Sequence, residues 1–355
     1  MFRVELRALL QVTAVLSAVA CNSAVDDADR ASRARAVATT LLVAANDAAD
    51  VLSVPPTRSS NGIWVVAMET SRGFAIRLVT PPEMSEPEAL QIRRGDGPGE
   101  ARELRGMSFG PGDTLWLLDG ALRLHALSPP PDMHYVRTSV LPHPTSAVLT
   151  ERGALSAPLR FNDSLVPPEL VRYSGEAVRF GVAQKFDLSS RFGAVAISSF
   201  GGLWLGDAHS YQVALLDSSG AVKKTIGRLT PWFPKHDGPK TFPWLERPLP
   251  QLRGISEVQS GLLAVLIARA APNWAPQQLA RSPAVAGSPV TPSQLSALDH
   301  SRLFEYVVEV FDISTGKLVR SRVVEGKPLG FTNTGELACL IEREGRGSDL
   351  VLYSP

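Results

Sequence analysis

The chain has 355 residues, with 36 Lys and Arg against 35 Asp and Glu. This balance leaves no basic stripe or patch, so nucleic acid is excluded as an electrostatically recruited partner. Gly and Pro number 28 each, which is typical of a chain with many tight turns and argues against a helical protein.

Residues 1–20 have the features of a signal peptide. Arg3 and Arg7 precede an apolar run, Leu9–Ala20, that has the length of a signal core and is too short to cross a bilayer as a helix. The small residues Ser17-Ala18-Val19-Ala20 lead to Cys21, a pattern that resembles the bacterial lipobox, with Ala18 where Leu is preferred. The resemblance implies cleavage before Cys21 and a lipid on this residue; the alternative is ordinary secretion with an incidental cysteine.

A lipid on Cys21 would place the protein in the bacterial cell envelope. Multiple acyl chains hold a protein stably on a membrane, and Asn22 replaces the Asp that retains some lipoproteins at the inner membrane. We therefore expect an outer-membrane anchor, with the protein on the periplasmic or surface side. The other cysteine, Cys339, lies in an apolar stretch and is expected to be an inert buried thiol, so no disulfide, metal site or cofactor is expected.

Residues 21–50 are predicted to form a tether between the lipid and the folded domain. The segment is rich in Ala, with interspersed Asp and Arg. Its stretch Ala36–Val43 is also typical of a strand, and ring-shaped folds often use an N-terminal strand to complete their last unit. This stretch is therefore the best candidate for such a closing strand.

One phrase recurs along residues 51–355: a turn, followed by a short apolar strand that often contains Trp. It reads Asn61-Gly-Ile-Trp-Val-Val66, Asp113-Thr-Leu-Trp-Leu-Leu-Asp119 and Gly201-Gly-Leu-Trp-Leu-Gly-Asp207, with weaker copies at 260–265 and 334–339. Such small sheets cannot bury their own faces and must stack on one another. The spacing predicts an all-β ring of six units of about 50 residues, with five or seven units as alternatives.

A second feature adds a family resemblance. The turn Gly95-Asp-Gly-Pro-Gly-Glu100 stands about a dozen residues before Asp113-Thr-Leu-Trp-Leu-Leu-Asp119. These residues resemble the NHL-type six-bladed β-propellers that occur as bacterial lipoproteins of unassigned role. The resemblance covers about residues 55–355 and implies a six-bladed β-propeller there. The Trp side chains lie inside the predicted strands, so we expect them to pack between blades. It implies almost nothing about activity, because propellers host both binding and catalysis.

Most motifs that would indicate chemistry are incomplete. The Gly95–Glu100 turn lacks the third Gly of a dinucleotide loop and the Gly-Lys-Ser/Thr of a P-loop, so it is interpreted as a turn between blades. No Gly-x-Ser-x-Gly elbow is present. Asp119, Asp207 and Asp217 recur at strand ends, where they are typical of turns; the alternative is a calcium or lactonase-like site with ligands from several blades.

Two stretches interrupt the repeat, at residues 230–245 and 271–300. Long insertions on a rigid scaffold often carry binding, but aromatic side chains there also serve as a lid over the end of the ring. The first insertion mixes aromatic rings with cations, which fit an acidic or carbohydrate-like ligand. The predicted binding residues of this loop are Trp232, Phe233, Lys235, His236, Lys240, Phe242 and Trp244.

The sequence therefore predicts a membrane-anchored β-propeller that works as a binding or scaffold module. Its partner, an unidentified protein or small ligand, is expected at the loop face of the ring. The alternative is a metal-dependent enzyme of the lactonase-like or sugar-lyase-like kind, with its site in the central channel.

Overall fold

A computed structural model describes residues 40–43, 54–80, 88–141, 147–156, 159–161, 164–166, 168–180, 192–237, 243, 246–259, 261–276, 300–343 and 347–355. The predicted signal peptide (1–20), the predicted lipidation site Cys21 and most of the predicted tether lie outside these residues. Among the described residues, no helix is long and apolar enough to cross a bilayer. The fold is all-β: the described helices are a 3₁₀ turn, Pro111–Asp113, and a short α-helix, α1 (His300–Leu303).

Six four-stranded antiparallel sheets form the blades of a six-bladed β-propeller. Strand β1 (Thr40–Val43) comes first along the chain and belongs to the last blade. Blade 1 contains β2 (Thr57–Arg58), β3 (Trp64–Thr70), β4 (Gly73–Val79) and β5 (Glu88–Arg93). Blade 2 contains β6 (Leu104–Phe109), β7 (Leu115–Asp119), β8 (Arg123–Leu127) and β9 (Tyr135–Val140).

The third blade carries an extra hairpin, and the fourth is regular. Blade 3 contains β10 (Ala147–Thr150), β11 (Gly153–Ser156), β14 (Glu169–Arg172) and β15 (Ala177–Arg179), with the hairpin β12 (Leu159–Phe161) and β13 (Ser164–Val166) inserted in the middle. Blade 4 contains β16 (Phe192–Ile197), β17 (Leu203–Asp207), β18 (Gln212–Leu216) and β19 (Val222–Gly227).

The last two blades complete the ring. Blade 5 contains β20 (Gln251–Gln259), β21 (Leu262–Ala270), β22 (Phe304–Asp312) and β23 (Leu318–Val324). Blade 6 contains β24 (Lys327–Phe331), β25 (Leu337–Arg343) and β26 (Gly347–Tyr353), and β1 pairs antiparallel with β26 as its fourth strand. The closing strand lies within the stretch 36–43 that the sequence favours for this role. Leu42 of β1 is fully buried in the core between blades 6 and 1.

The topology gives the ring two distinct faces. We call the face on which the innermost strand of each blade begins the upper face, and the face on which it ends the lower face. Because strands alternate in direction, the links between blades and the connections from second to third strand lie on the upper face. The extra hairpin of blade 3, the insertion after β19 and the insertion between β21 and β22 therefore all share the upper face. Thr40, at the start of an outermost strand, lies at the lower face.

The core lies between blades, and the recurring Trp residues help to form it. Trp64, Trp116 and Trp204 are all buried. Trp116 packs against blade 3 and Trp204 against blade 5, the next blade in each case. Trp64 instead packs toward blade 6, the preceding blade in the ring. Trp64 thus lies one position earlier in its strand than Trp116 and Trp204 do in theirs. A shift of one residue along a strand places a side chain on the opposite face of the sheet.

Candidate binding surfaces: the channel and the upper face

The innermost strands surround a central cavity of about 470 Å³. Its volume falls in the range of small-molecule sites in proteins, roughly 300–1,000 Å³. The wall mixes apolar side chains with polar and charged ones. The apolar ones include those of Pro55, Met107, Val148, Val195, Ile255 and Phe331, and the charged ones are those of Arg105, Glu151, Arg152 and Glu257. The channel can therefore accommodate a small molecule with both apolar and polar groups, or the end of a partner's side chain.

Glu257, at the lower mouth of the channel, is engaged with a turn and a strand of the neighbouring blade. The Glu257 carboxylate accepts hydrogen bonds from the backbone N–H of Ser199 (3.2 Å) and from Nε1 of Trp204 (3.0 Å), and the Ser199 hydroxyl donates to its other oxygen. Glu151 and Arg152 approach each other to 3.6 Å. Glu257 thus links blade 5 to blade 4, a role for the Trp204 indole that the sequence repeat does not reveal.

On the upper face, the first aromatic residues of the 230–245 loop pack into the ring. Phe233 is only 3% exposed and stacks on Tyr211, with ring centroids 5.2 Å apart. Trp232 is half-buried; its ring centroid lies 5.8 Å from that of Tyr211, and the Arg269 guanidinium lies 5.1 Å from the indole centroid. The Phe233 ring covers the end of blade 4, as a lid residue would. Trp232 leaves part of its indole at the surface.

The rest of the predicted binding loop is only partly described. Lys235 is exposed. His236 is half-buried: its Nε2 lies 2.7 Å from the Pro250 carbonyl oxygen, and its ring centroid lies 4.9 Å from that of His209. Lys240, Phe242 and Trp244 lie outside the described residues. The two insertions contact each other, because the Trp274 indole donates a hydrogen bond to the Pro243 carbonyl (3.0 Å).

A buried polar cluster, not identified from the sequence, lies beneath this loop. The Glu309 carboxylate is fully buried and accepts hydrogen bonds from Arg228 (2.8 Å), Ser321 (3.1 Å) and the Tyr211 hydroxyl. Burial, with the nearby Glu309 charge, raises the pKa of the Tyr211 phenol well above its ordinary value. Arg228 begins the insertion, so its ion pair fixes the start of the loop to blade 5. From the sequence, Glu309 lies on the same side of β22 as Val307 and Phe311, but the sequence does not show that Arg228 is the cation that pairs with it.

The Gly95–Glu100 turn is arranged around internal contacts. The Glu100 carboxylate accepts a hydrogen bond from the Gly97 N–H (2.9 Å). The Arg123 guanidinium donates to the carbonyl oxygens of Asp96 (2.8 Å) and Gly95 (3.1 Å). A phosphate needs inward-pointing N–H donors, whereas this turn directs carbonyl acceptors at a cation. It joins blade 1 to blade 2.

The acidic residues at strand ends form hydrogen bonds within their own blades. Asp119 is buried, and its Oδ2 accepts from Arg123 Nε (2.7 Å); burial opposes ionisation, but the bonds from Arg123 and His125 lower the pKa of this carboxyl. Asp207 accepts from the His209 N–H (2.9 Å) and the Ser210 hydroxyl (2.6 Å). In the described part of the chain, no three His, Cys, Asp or Glu side chains are grouped to hold a metal ion.

Cys339, expected to be an inert thiol, lies in β25 and is fully buried between blades 5 and 6. Burial in this apolar cluster raises the pKa of its thiol far above the ordinary value. A thiolate, the reactive form, is therefore strongly disfavoured.

No protein-family model matches the sequence, and no curated protein matches it. Among solved structures, the chain is similar to a member of the DUF4221 family from Bacteroides vulgatus, with 11% identity and a TM-score of 0.56, over 91% of this chain and 98% of that one. Virginiamycin B lyase from Staphylococcus aureus gives 10% identity and a TM-score of 0.43, over 90% and 99% of the two chains.

The Cps50 (Swd1) β-propeller domain from Myceliophteria thermophila gives 11% identity and a TM-score of 0.45, over 90% of this chain and 100% of that one. At such identities the likeness concerns the fold alone. The chain is a six-bladed β-propeller, and the first of these structures resembles it over nearly its whole length.

Proposed function

We propose that this protein is a lipid-anchored β-propeller of the bacterial cell envelope that binds a partner through its upper face. One observation carries the proposal: the insertions and the start of the ring lie on opposite faces. The three long connections share the upper face, whereas Thr40, which begins the closing strand within the predicted tether segment 21–50, lies at the lower face. A chain anchored through Cys21 would therefore direct its insertions away from the membrane.

The described part of the upper face supports a binding role by its exposed side chains. Leu229, at the start of the first insertion, is fully exposed, and Leu249 near its end is also exposed. Lys235 and Arg247 are exposed beside them. Apolar side chains next to exposed cations are typical of protein interfaces, in which a desolvated centre is surrounded by a polar rim.

The anchor is tested by fractionating cells that make the wild-type protein or Cys21→Ala. We expect the wild type in the membrane fraction and the variant in the soluble envelope fraction, because the variant lacks the residue that would carry the acyl chains. Equal membrane association of the two proteins would contradict the anchor.

The binding face is tested by capturing partners from envelope extracts with matched variants of both faces. Leu229→Ser and Lys235→Glu alter the upper face; Phe200→Ser and Lys317→Glu make the same changes at exposed positions of the lower face. We expect the upper-face pair to reduce capture at least about tenfold, as expected for residues within an interface, and the lower-face pair to leave it unchanged. The reverse pattern, or equal losses, would contradict the assignment of the face.

A further inference from the structure

Two arginines lie side by side on the outer rim of the ring. Arg320 and Arg322 alternate along β23, the outermost strand of blade 5, so both point toward blade 6. They pair across the ladder with Val310 and Val308 of β22. Both arginines border a narrow groove of about 10 Å³, which is open to solvent on one side and has room for no more than a water-sized group. The other residues that line it include Val324, Leu337, Tyr353 and Pro355.

The positive charge of this pair is not balanced within the described residues. Nε of Arg320 is shielded from solvent and has no hydrogen-bond acceptor in the part of the chain that the structure describes. Burial lowers the pKa of Arg320, the Arg322 charge lowers it further, and no carboxylate acts in the opposite sense. Two other arginines of these blades do have a carboxylate partner: Arg269 pairs with Glu305 (2.6 Å) and Arg343 with Asp349 (2.6 Å).

An arginine cannot relieve this situation by losing its proton, because its pKa remains above the physiological range. Two half-buried arginines of like charge therefore repel each other beside an apolar wall. Side chains two positions apart on a strand are separated by roughly 7 Å. An oxyanion between them can accept hydrogen bonds from both groups and neutralise the repulsion.

We propose that Arg320 and Arg322 bind a small oxyanion, a carboxylate or a phosphate group, at the open edge of the groove between blades 5 and 6, where the anion bridges the two side chains from outside. The site lies on the rim of the ring and is independent of the upper face and of the anchor. Its occupation would tie the outer strand of blade 5 to the end of blade 6, so the bound anion stabilises the closed ring.

The site is tested by thermal unfolding in sodium phosphate, sodium acetate and sodium chloride at matched ionic strength. If the proposal holds, at least one of the two oxyanions raises the Tm of the wild type by roughly 2–4 °C above its value in chloride, when in about tenfold excess over its Kd. A shift with phosphate alone identifies a phosphate site, and a shift with acetate identifies a carboxylate site.

Arg320→Gln should abolish the anion-dependent shift, while its Tm in chloride stays at or above that of the wild type, because an unpaired charge has been removed. Arg322→Gln provides the same test if the first variant does not fold. Arg72→Gln, at an exposed turn of blade 1, is the charge-matched control and should retain the shift. A shift of equal size in all four proteins, no shift in the wild type, or a large fall of Tm in chloride for Arg320→Gln would each overturn the proposal.

Discussion

At the level of single residues, the composition of a loop does not show which of its side chains are buried in the core and which remain exposed at the surface. Phe233 and Lys235 stand two positions apart in the same Pro-rich loop, yet one is buried and the other is exposed. The difference arises because Tyr211, from a turn of blade 4, provides a stacking partner for Phe233. That partner is 22 positions away, so only the fold brings it to the loop.

We predict that Phe233→Ala destabilises the protein by about 3–4 kcal/mol, because the change removes a fully packed aromatic ring and leaves a cavity. The matched control is Phe200→Ala, since this phenylalanine is 65% exposed on the lower face; its effect should stay below about 0.5 kcal/mol. Urea unfolding of both variants measures the two values. Equal small effects would mean that Phe233 is free for a ligand, as the sequence pattern allows.

A histidine inside blade 2 gives the structure a specific pH response. The His125 imidazole is buried, with Nδ1 2.8 Å from the Thr138 hydroxyl and Nε2 3.4 Å from Asp119 Oδ2. Burial lowers the pKa of this imidazole, and the neighbouring Asp119 charge compensates only in part. The folded protein therefore holds the neutral form to lower pH than the unfolded chain does.

The sign of the effect follows from proton binding. Below about pH 6.5, the reference pKa of histidine, the unfolded chain binds a proton that folded His125 does not, so stability falls as pH decreases. We predict that the stability advantage of the wild type over His125→Asn, measured by urea unfolding, shrinks between pH 8 and pH 5. Parallel stability curves for the two proteins would contradict the prediction.

At the level of the strands, the repeat predicts the right units but not the register of every one. In blades 2 and 4, Leu115 and Leu203 pair with the last residue of the innermost strand, and the Trp follows them. In blade 1, Trp64 itself occupies that position, opposite Arg58. An alignment of the repeats on their Trp residues is therefore wrong by one residue in blade 1. The distance of a residue from the turn, rather than its type, determines which face of the sheet its side chain lies on.

The same strands explain which site features could be predicted. The apolar runs and the Gly and Asp turns predict the blade count, and the stretches without a repeat predict the insertions. The Glu309 cluster, the central channel and the groove beside Arg320 and Arg322 all arise between blades. Such contacts join residues far apart in sequence. No local pattern of residue types in a single sequence predicts which of these residues come together.

At the level of the whole molecule, the alternation of strand direction places all the long insertions on one face of the ring. Each innermost strand runs the same way, so any extra residues between blades, or between second and third strands, emerge on the upper face. The closing strand enters from the lower face for the same reason. The proposed orientation on a membrane thus depends on β1 being a true part of the ring.

That dependence can be tested by moving the start of the chain. A protein that begins at Ala36 retains β1, whereas one that begins at Asp47 lacks it. We predict that the first has the Tm of the longer protein, and that the second loses about 3–6 kcal/mol of stability, because Leu42 and Val43 no longer cover the core between blades 6 and 1.

A synthetic peptide of residues 36–46 provides the matched rescue. Added to the shorter protein, it should raise Tm in a concentration-dependent way, since the exposed edge of β26 accepts an added strand. A peptide with Leu42→Asp should fail, because the charge would enter the fully buried Leu42 position. If both starting points gave the same Tm, β1 would not close the ring, and the lower face would no longer be the side from which the predicted tether leaves.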